Sequence, residues 1–405
     1  MKKETQLFLE AVRAALKNES VNWDMEISRS EWEQILKLAE AHRMLPMVFQ
    51  AVYSCPAARR ADPELMRWYR LCSMQMVMLQ TQKSAEVPVL LDTLQKAGVE
   101  PLVVKGIICR RLYPNPDHRM SSDEDILIPP EHFSACNEAL NRLGMFTEDP
   151  ADESYELAYS KAGTPLYIEI HRSLFPEKSD AYGDLNRFFR DVSGRAQVLD
   201  GVPTLHPTDH MLYLFMHAFK HFVHSGFGLR QVCDMILFAN RYGSQIDWIY
   251  VLDRCRMVRA EVFAAGLLRI GWKYLDFSLD QSQLPLQWQT IYVNEAPLLE
   301  DILASGVYGN ADEDRLHSSS ITLNAVSAQK QGKTGAVSLL KTVFPSVKVM
   351  QAKYPYLKKK PLLLPVAWTD RLVRYGMSGN KPKQSVRIGN ERIELLKKYG
   401  ILDKT

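Results

Sequence analysis

Three short aliphatic and β-branched runs, EPLVVKG, EDILI and PLYIEIH, lie between Glu100 and His171. Each is too brief for a helix and bounded as a strand is. MFTE and ESYELAYS are two further strand candidates, and helical patterns at IICRRLY and PEHFSACNEALNRLG fall between the strands. A chain that alternates in this way is confined to a fold in which a sheet is packed by helices. A small mixed sheet over residues 85–205 is the expectation.

The flanks are helical. In SEWEQILKLAEAHRML, Trp32, Ile35, Leu36, Leu38 and Ala39 recur at helical spacing, with Ser28 or Ser30 available as a cap. Pro63 suits the first turn of the next helix, whose Met66, Met74, Met76 and Met78 read as core packing. Downstream, HPTDHMLYLFMHAFKHF, GLRQVCDMILFANRY, IDWIYVLDRCRM and AEVFAAGLLRIGWKYL follow one another with short connections, as a bundle does. The fold class expected is α+β, divided as an N-terminal helical region (1–84), an α/β core (85–205), a helical bundle (206–310) and a basic tail (311–405). SSSITLN and AQKQGKTGAV are polar linkers at the last boundary, and prolines break the segment FPSVKVMQAKYPYLKKKPLLLPVAW into pieces.

Composition excludes several classes. Glu4, Glu10 and Arg13 interrupt any signal peptide at the start, and PLLLPVAW is far shorter than the roughly 20 residues of a membrane span. The six cysteines are scattered with no C-x-x-C pair, as reduced thiols of a cytoplasmic protein are. Of 50 basic residues 17 lie from Lys330 onward, with only 4 of the 47 acidic ones, so the formal +3 divides into a tail of +13 and a body of −10. The tail reads as a solvated face, a nucleic-acid contact, or a peripheral contact with an anionic membrane through Lys358–Lys360 and Tyr354, Tyr356 and Trp368. Apolar tail residues wrapping onto the helical lobes is the favoured expectation.

The chemistry concentrates at KGIICRRLYPNPDHRMSSDEDILI, residues 105–128. Alternation on a strand sends Asp123 and Asp125 to one face and Glu124 to the other, with the two carboxylates about 7 Å apart or closer. Their repulsion needs a counter-charge, and hard oxygen ligands suit Mg²⁺ or Mn²⁺. Glu169 completes a carboxylate triad if PLYIEIH pairs beside EDILI. Gly106 lets a phosphate approach the helix start that follows, Lys105 offers it a charge, and Arg119 a second. Glu124 on the opposite face predicts a strand near an edge or solvated on that side. His217 and His221, at i and i+4, share a helix face, but without ligands in standard zinc spacing they read as core or cleft-lining residues.

The order VVKG, Leu112-Tyr113-Pro114, Arg119, DEDILI and IEIH resembles the uncharacterised nucleotidyltransferase-like family of the DNA polymerase beta superfamily, and HAFKH and LRQVCDMILF resemble its helical segments. The resemblance implies that Asp123 and Asp125 hold two Mg²⁺ ions, that Glu169 binds the second, and that Lys105, Gly106 and Arg119 bind the phosphates of a nucleoside triphosphate such as ATP. It also implies that His217, Lys220 and His221 face the cleft, touching nucleotide or acceptor. Asp234 either joins them, caps a helix or pairs with Arg230. Transfer of a nucleoside monophosphate to a hydroxyl acceptor of unidentified kind, with release of pyrophosphate, is the activity implied. Lys105-Gly106 stands where the superfamily usually has Gly-Ser. Two other functions fit parts of the pattern: a nucleotide-binding or regulatory protein without turnover, and a glycosyltransferase that uses Asp-x-Asp with a sugar nucleotide, which would need a Rossmann-like half before the acids.

Overall fold

Ser28 caps the helix Arg29–Ala41 through a capping box with Glu31, and Asp62 caps Pro63–Lys96, where Pro63 stands in the first turn. In this computed structural model the described residues are 1–148, 154–177, 179, 181–306, 322–323, 326–327, 347–351, 354–358, 360–377 and 382–403. The linker segments SSSITLN and AQKQGKTGAV lie almost wholly outside them.

The N-terminal layer consists of α1 (Lys3–Leu16), α2 (Arg29–Ala41), α3 (Leu45–Tyr53), α4 (Pro56–Arg60) and the long α5 (Pro63–Lys96). Trp32, Ile35, Leu36 and Ala39 are buried as their spacing predicts. Residue 84, where a division was expected, falls inside α5.

The sheet contains β1 (Leu102–Val104), β2 (Glu124–Leu127), β3 (Met145–Phe146), β4 (Glu156–Lys161), β5 (Tyr167–His171), β6 (Gln197–Leu199) and β7 (Val202–Thr204). Its order is β3-β4-β5-β2-β1-β7-β6. β2 pairs parallel with β5 and antiparallel with β1, so it is the central strand. All five strand segments read from the sequence are present. The β6–β7 hairpin is an addition, in which only Leu199, Val202 and Thr204 are buried. Between strands lie α6 (Gly106–Arg110) and α7 (Phe133–Arg142).

The expectation for Glu124 is overturned. It is fully buried on the central strand, paired with Arg110, and it accepts hydrogen bonds from the Ile107 N–H (2.8 Å) and the Ser121 hydroxyl (3.3 Å). A full set of internal partners lets this side of the strand exclude water.

The bundle follows with α8 (Pro207–His224), α9 (Leu229–Tyr242), α10 (Trp248–Met257), α11 (Glu261–Tyr274) and the helix Ala296–Ser305. Its core is aromatic: Phe222 stacks on Phe263 at 4.6 Å, and Phe215 on Trp288 at 5.7 Å. The tail contributes two longer helices, Leu364–Met377 and Pro382–Lys398. The first begins inside the segment whose prolines were expected to break every helix, because Pro365 falls in its first turn, where no N–H is required. Leu395, Leu396, Tyr399, Ile401 and Leu402 join the main core, as the wrapping expectation has it. Met350, Tyr354, Leu357 and Ala367 form a small separate cluster, and Leu362 stays 93% exposed.

Candidate active site

The parallel register of β2 and β5 sets Asp125 directly beside Glu169. Two residues on, His171 presents its side chain to the same face, since strand neighbours of one face are two apart. His171 Nε2 lies 3.1 Å from Asp125 Oδ1 and 3.9 Å from Glu169 Oε2. Donor atoms of Asp125, Glu169 and His171 all fall within 4.8 Å of one another, a spacing that a metal ion can bridge. Asp123, just ahead of β2, lines the same cleft of about 250 Å³, together with Lys105, Glu156, Tyr213, His217, Lys220 and His221.

Lys105 sits at the turn from β1 into α6, with φ 58°. A side chain in that region costs about 1–3 kcal/mol unless its surroundings fix it. Here they do. The Lys105 N–H donates to His210 Nε2 (3.2 Å), His210 Nδ1 meets the Thr204 hydroxyl (3.2 Å), and Thr204 donates to the Val103 carbonyl (2.5 Å). Burial, with Lys105 nearby, lowers the His210 pKa to about 3, so the ring is neutral and its Nε2 can accept. The Lys105 ammonium then reaches Asp125 Oδ2 at 2.9 Å and His217 Nε2 at 3.0 Å.

The carboxylates carry more negative charge than Lys105 offsets. Burial and then the Asp125 charge raise the Asp123 pKa, and burial, then Asp125 and Asp123, push Glu169 up to about 7. Asp125 goes the other way: burial opposes its ionisation, but Lys105 and His171 outweigh it and hold the carboxyl well below its ordinary range. Burial pushes His217 and His221 well below the ordinary histidine value, and it lowers Lys220, which donates to the Tyr155 hydroxyl at 3.3 Å. His221 Nε2 lies 3.2 Å from His217 Nε2.

Two of the anticipated phosphate contacts are partly committed elsewhere. The Ile107 N–H at the start of α6 donates to Glu124, so an internal carboxylate takes the group that Gly106 was expected to open to a phosphate. Gly106 itself lies against that carboxylate, at φ +28°. Arg119 forms a bidentate pair with Asp234, Nε and Nη2 each at 2.7 Å, while its Nη1 has no partner. Asp234 therefore pairs with Arg119, and it also accepts from the Tyr113 hydroxyl at 2.8 Å.

Sequence reasoning missed three contributors. His171 was signalled only by its place two residues after Glu169. Lys83 of α5 donates to the Ser121 and Ser122 carbonyls (2.9 and 2.6 Å), pinning the loop that delivers Asp123. Burial lowers its pKa to about 8. Arg230 of α9, read from the sequence only as a partner for Asp234, borders the cleft with unmet donors.

What this defines is an α+β protein in which an acid-lined cleft opens between a mixed sheet and a helical bundle, an arrangement that can hold a cation and an anion side by side. The family described as uncharacterised nucleotidyltransferase matches residues 28–275, a span that takes in the whole sheet and α2 to α11, and the chain belongs to that family. Among curated proteins none matches. A solved structure described as the crystal structure of JHP933 from Helicobacter pylori is similar at 15% identity, covering 61% of this chain and 97% of its own, with a TM-score of 0.29. A likeness that weak bears on neither fold nor chemistry.

Proposed function

We propose that this chain transfers a nucleoside monophosphate from a nucleoside triphosphate to a hydroxyl acceptor. The observation that carries the reading is the β2–β5 register, which sets Asp125 and Glu169 side by side with Asp123 in the same cleft. In the reaction, the acceptor oxygen bonds to the α-phosphorus, the bond from that phosphorus to the bridging oxygen of the β-phosphate breaks, and pyrophosphate leaves. The acceptor proton passes to solvent or to a cleft carboxylate.

The donor set suits Mg²⁺ or Mn²⁺. Asp123, Asp125 and Glu169 would hold the ion, with His171 in reach, and the raised pKa values of Asp123 and Glu169 mark charge that a cation would relieve. A divalent cation bound there supplies positive charge to the phosphates and acidifies the acceptor hydroxyl. Lys105 is placed to stay with the phosphates once it leaves Asp125, and His217, Lys220 and His221 form the opposite wall, toward nucleotide or acceptor. Six free thiols support the cytoplasmic setting expected. No helix among the described residues is long and apolar enough to cross a membrane.

One observation favours a second reading, nucleotide binding without turnover: the Lys105 ammonium already occupies Asp125 Oδ2. The glycosyltransferase reading gains no such support, since α1 to α5 stand where a Rossmann-like half would precede the acids. A thermal-shift screen of the four nucleoside triphosphates and of UDP- and GDP-sugars, with and without Mg²⁺ or Mn²⁺, separates them. Metal-dependent stabilisation by a triphosphate, followed by pyrophosphate release with an added hydroxyl acceptor, is the expected result. Stabilisation without pyrophosphate release over a broad acceptor panel favours the binding protein, and no response to any triphosphate removes the proposal.

A further inference from the structure

Beside the carboxylates, on the α9 side of Lys105, lies a narrow recess of about 10 Å³ bordered by Lys105, Arg119, Asp123, Asp125, Arg230 and Asp234. Its charges number three of each sign, and two pairs close upon themselves: Arg119 with Asp234 at 2.7 Å and Lys105 with Asp125 at 2.9 Å. Asp123 and Arg230 remain, and their charges attract one another although no ion pair joins them. Arg230 is only 5% exposed, yet its Nε and Nη1 have no hydrogen-bond partner, and Arg119 Nη1 has none either. A buried guanidinium with unmet donors is costly, and native proteins rarely keep one without a use.

Arg230 and Asp234 stand one turn apart on α9, so they project from one helix face. Asp234 anchors Arg119 through two of its nitrogens, which fixes the third, and Arg230 adds two more donors at the same recess. Three N–H groups from two rigid forks suit the oxygens of a phosphate better than a single point charge does. The adjoining Asp123 and Asp125 would repel a bare anion. An anion that arrives with a cation meets both needs, its cation toward Asp123 and Asp125 and its oxygen toward Arg230.

We propose that this recess is a phosphate subsite for a metal-bound polyphosphate, with Arg230 as its grip and Arg119 Nη1 beside it. The inference rests on the nucleotide reading above and deepens it. The recess has room for about one water-sized group, so a single phosphate oxygen enters while the rest of the group lies over the carboxylate side. Arg230 thereby supplies from the bundle the grip for which the Lys105-Gly106 turn, with its Ile107 N–H spent on Glu124, has little left.

The test titrates sodium tripolyphosphate into the full chain by calorimetry, with and without Mg²⁺, for wild type, Arg230→Gln, Arg230→Lys and, as a control on the exposed end of α9, Arg241→Gln. Wild type should bind only with Mg²⁺. Arg230→Gln should weaken binding about 10- to 100-fold, the loss expected for charged hydrogen bonds. Arg230→Lys should fall between, because it keeps the charge and loses the fork, and Arg241→Gln should match wild type. Should Arg230→Gln not fold, as judged by its melt, the Lys variant decides. Wild-type affinity in both Arg230 variants overturns the subsite, and so does binding by wild type without Mg²⁺ or no binding at all. If both variants also bind a magnesium nucleoside triphosphate as wild type does, only the subsite falls. If wild type binds none of the four, the nucleotide reading falls with it.

Discussion

Glu169 is the side chain at which the cleft's excess negative charge is easiest to measure. Its carboxyl is raised to about 7 by burial and then by Asp125 and Asp123, so its ionised form is disfavoured in the folded state. A folded pKa above the unfolded one contributes stability that is complete below about pH 4.5 and is lost as pH rises through about 7. Without metal, Glu169→Gln should therefore raise the melting temperature at pH 8 and change it little at pH 4.5, the difference opening across that interval. With Mg²⁺ present at pH 8 the order should reverse, because the variant loses a ligand. A variant that melts with wild type at every pH would show that the carboxylates do not strain one another. Gly106 is a second residue whose identity is forced. A methyl group there would run into the Glu124 carboxylate, at a φ of +28°. Gly106→Ala should cost about 2 kcal/mol in urea unfolding through overpacking and backbone strain together.

At the scale of elements, the link between β2 and α6 governs the site. Glu124 faces away from the cleft, and its pairing with Arg110 and the Ile107 N–H ties the helix to the strand that carries Asp125. Glu124→Gln removes one charge of a fully buried pair, and about 3–5 kcal/mol of stability should go with it. A urea midpoint close to wild type would contradict that. This pairing also marks where the sequence ceased to be legible. Strand alternation told which acids share a face, and the β-branched runs at 102–104, 124–127 and 167–171 told where the strands are. Both signals are local. That Glu124 is central and satisfied depends on Arg110 arriving from α6, that Asp123 is held in place depends on Lys83 from α5, and that Asp234 takes Arg119 depends on α9 crossing the cleft. No spacing within one segment encodes such meetings. The hairpin of β6 and β7 escaped for another reason: two three-residue strands leave too short a run for any period to register.

Across the whole molecule, the tail is tied to the bundle at the end of the helix that lines the cleft. Arg392, 3% exposed, forms two 2.9 Å bonds with Asp301 and also donates to the Phe222 carbonyl near the end of α8. Tyr399 adds apolar contact, its ring packing edge-on to Phe222 at 6.2 Å, and its hydroxyl donates to the Asn294 carbonyl at 2.6 Å. Helix α8 thus carries His217, Lys220 and His221 into the cleft on one stretch and receives the tail on the next. If the tail helix is a brace alone, Arg392→Met should lower stability by about 3 kcal/mol, since it breaks a buried ion pair by removing one partner, while the affinity for a magnesium nucleoside triphosphate changes by less than about twofold, as for sites that share no partner. The double variant Arg392→Met, Asp301→Leu should recover much of that loss, because both halves of the buried pair are then replaced by apolar side chains. Urea titration of the three proteins measures the first effect and calorimetry the second. Loss of nucleotide affinity in the single variant, restored in the double, would instead make α8 a conduit by which the tail's docking sets the position of the histidine wall.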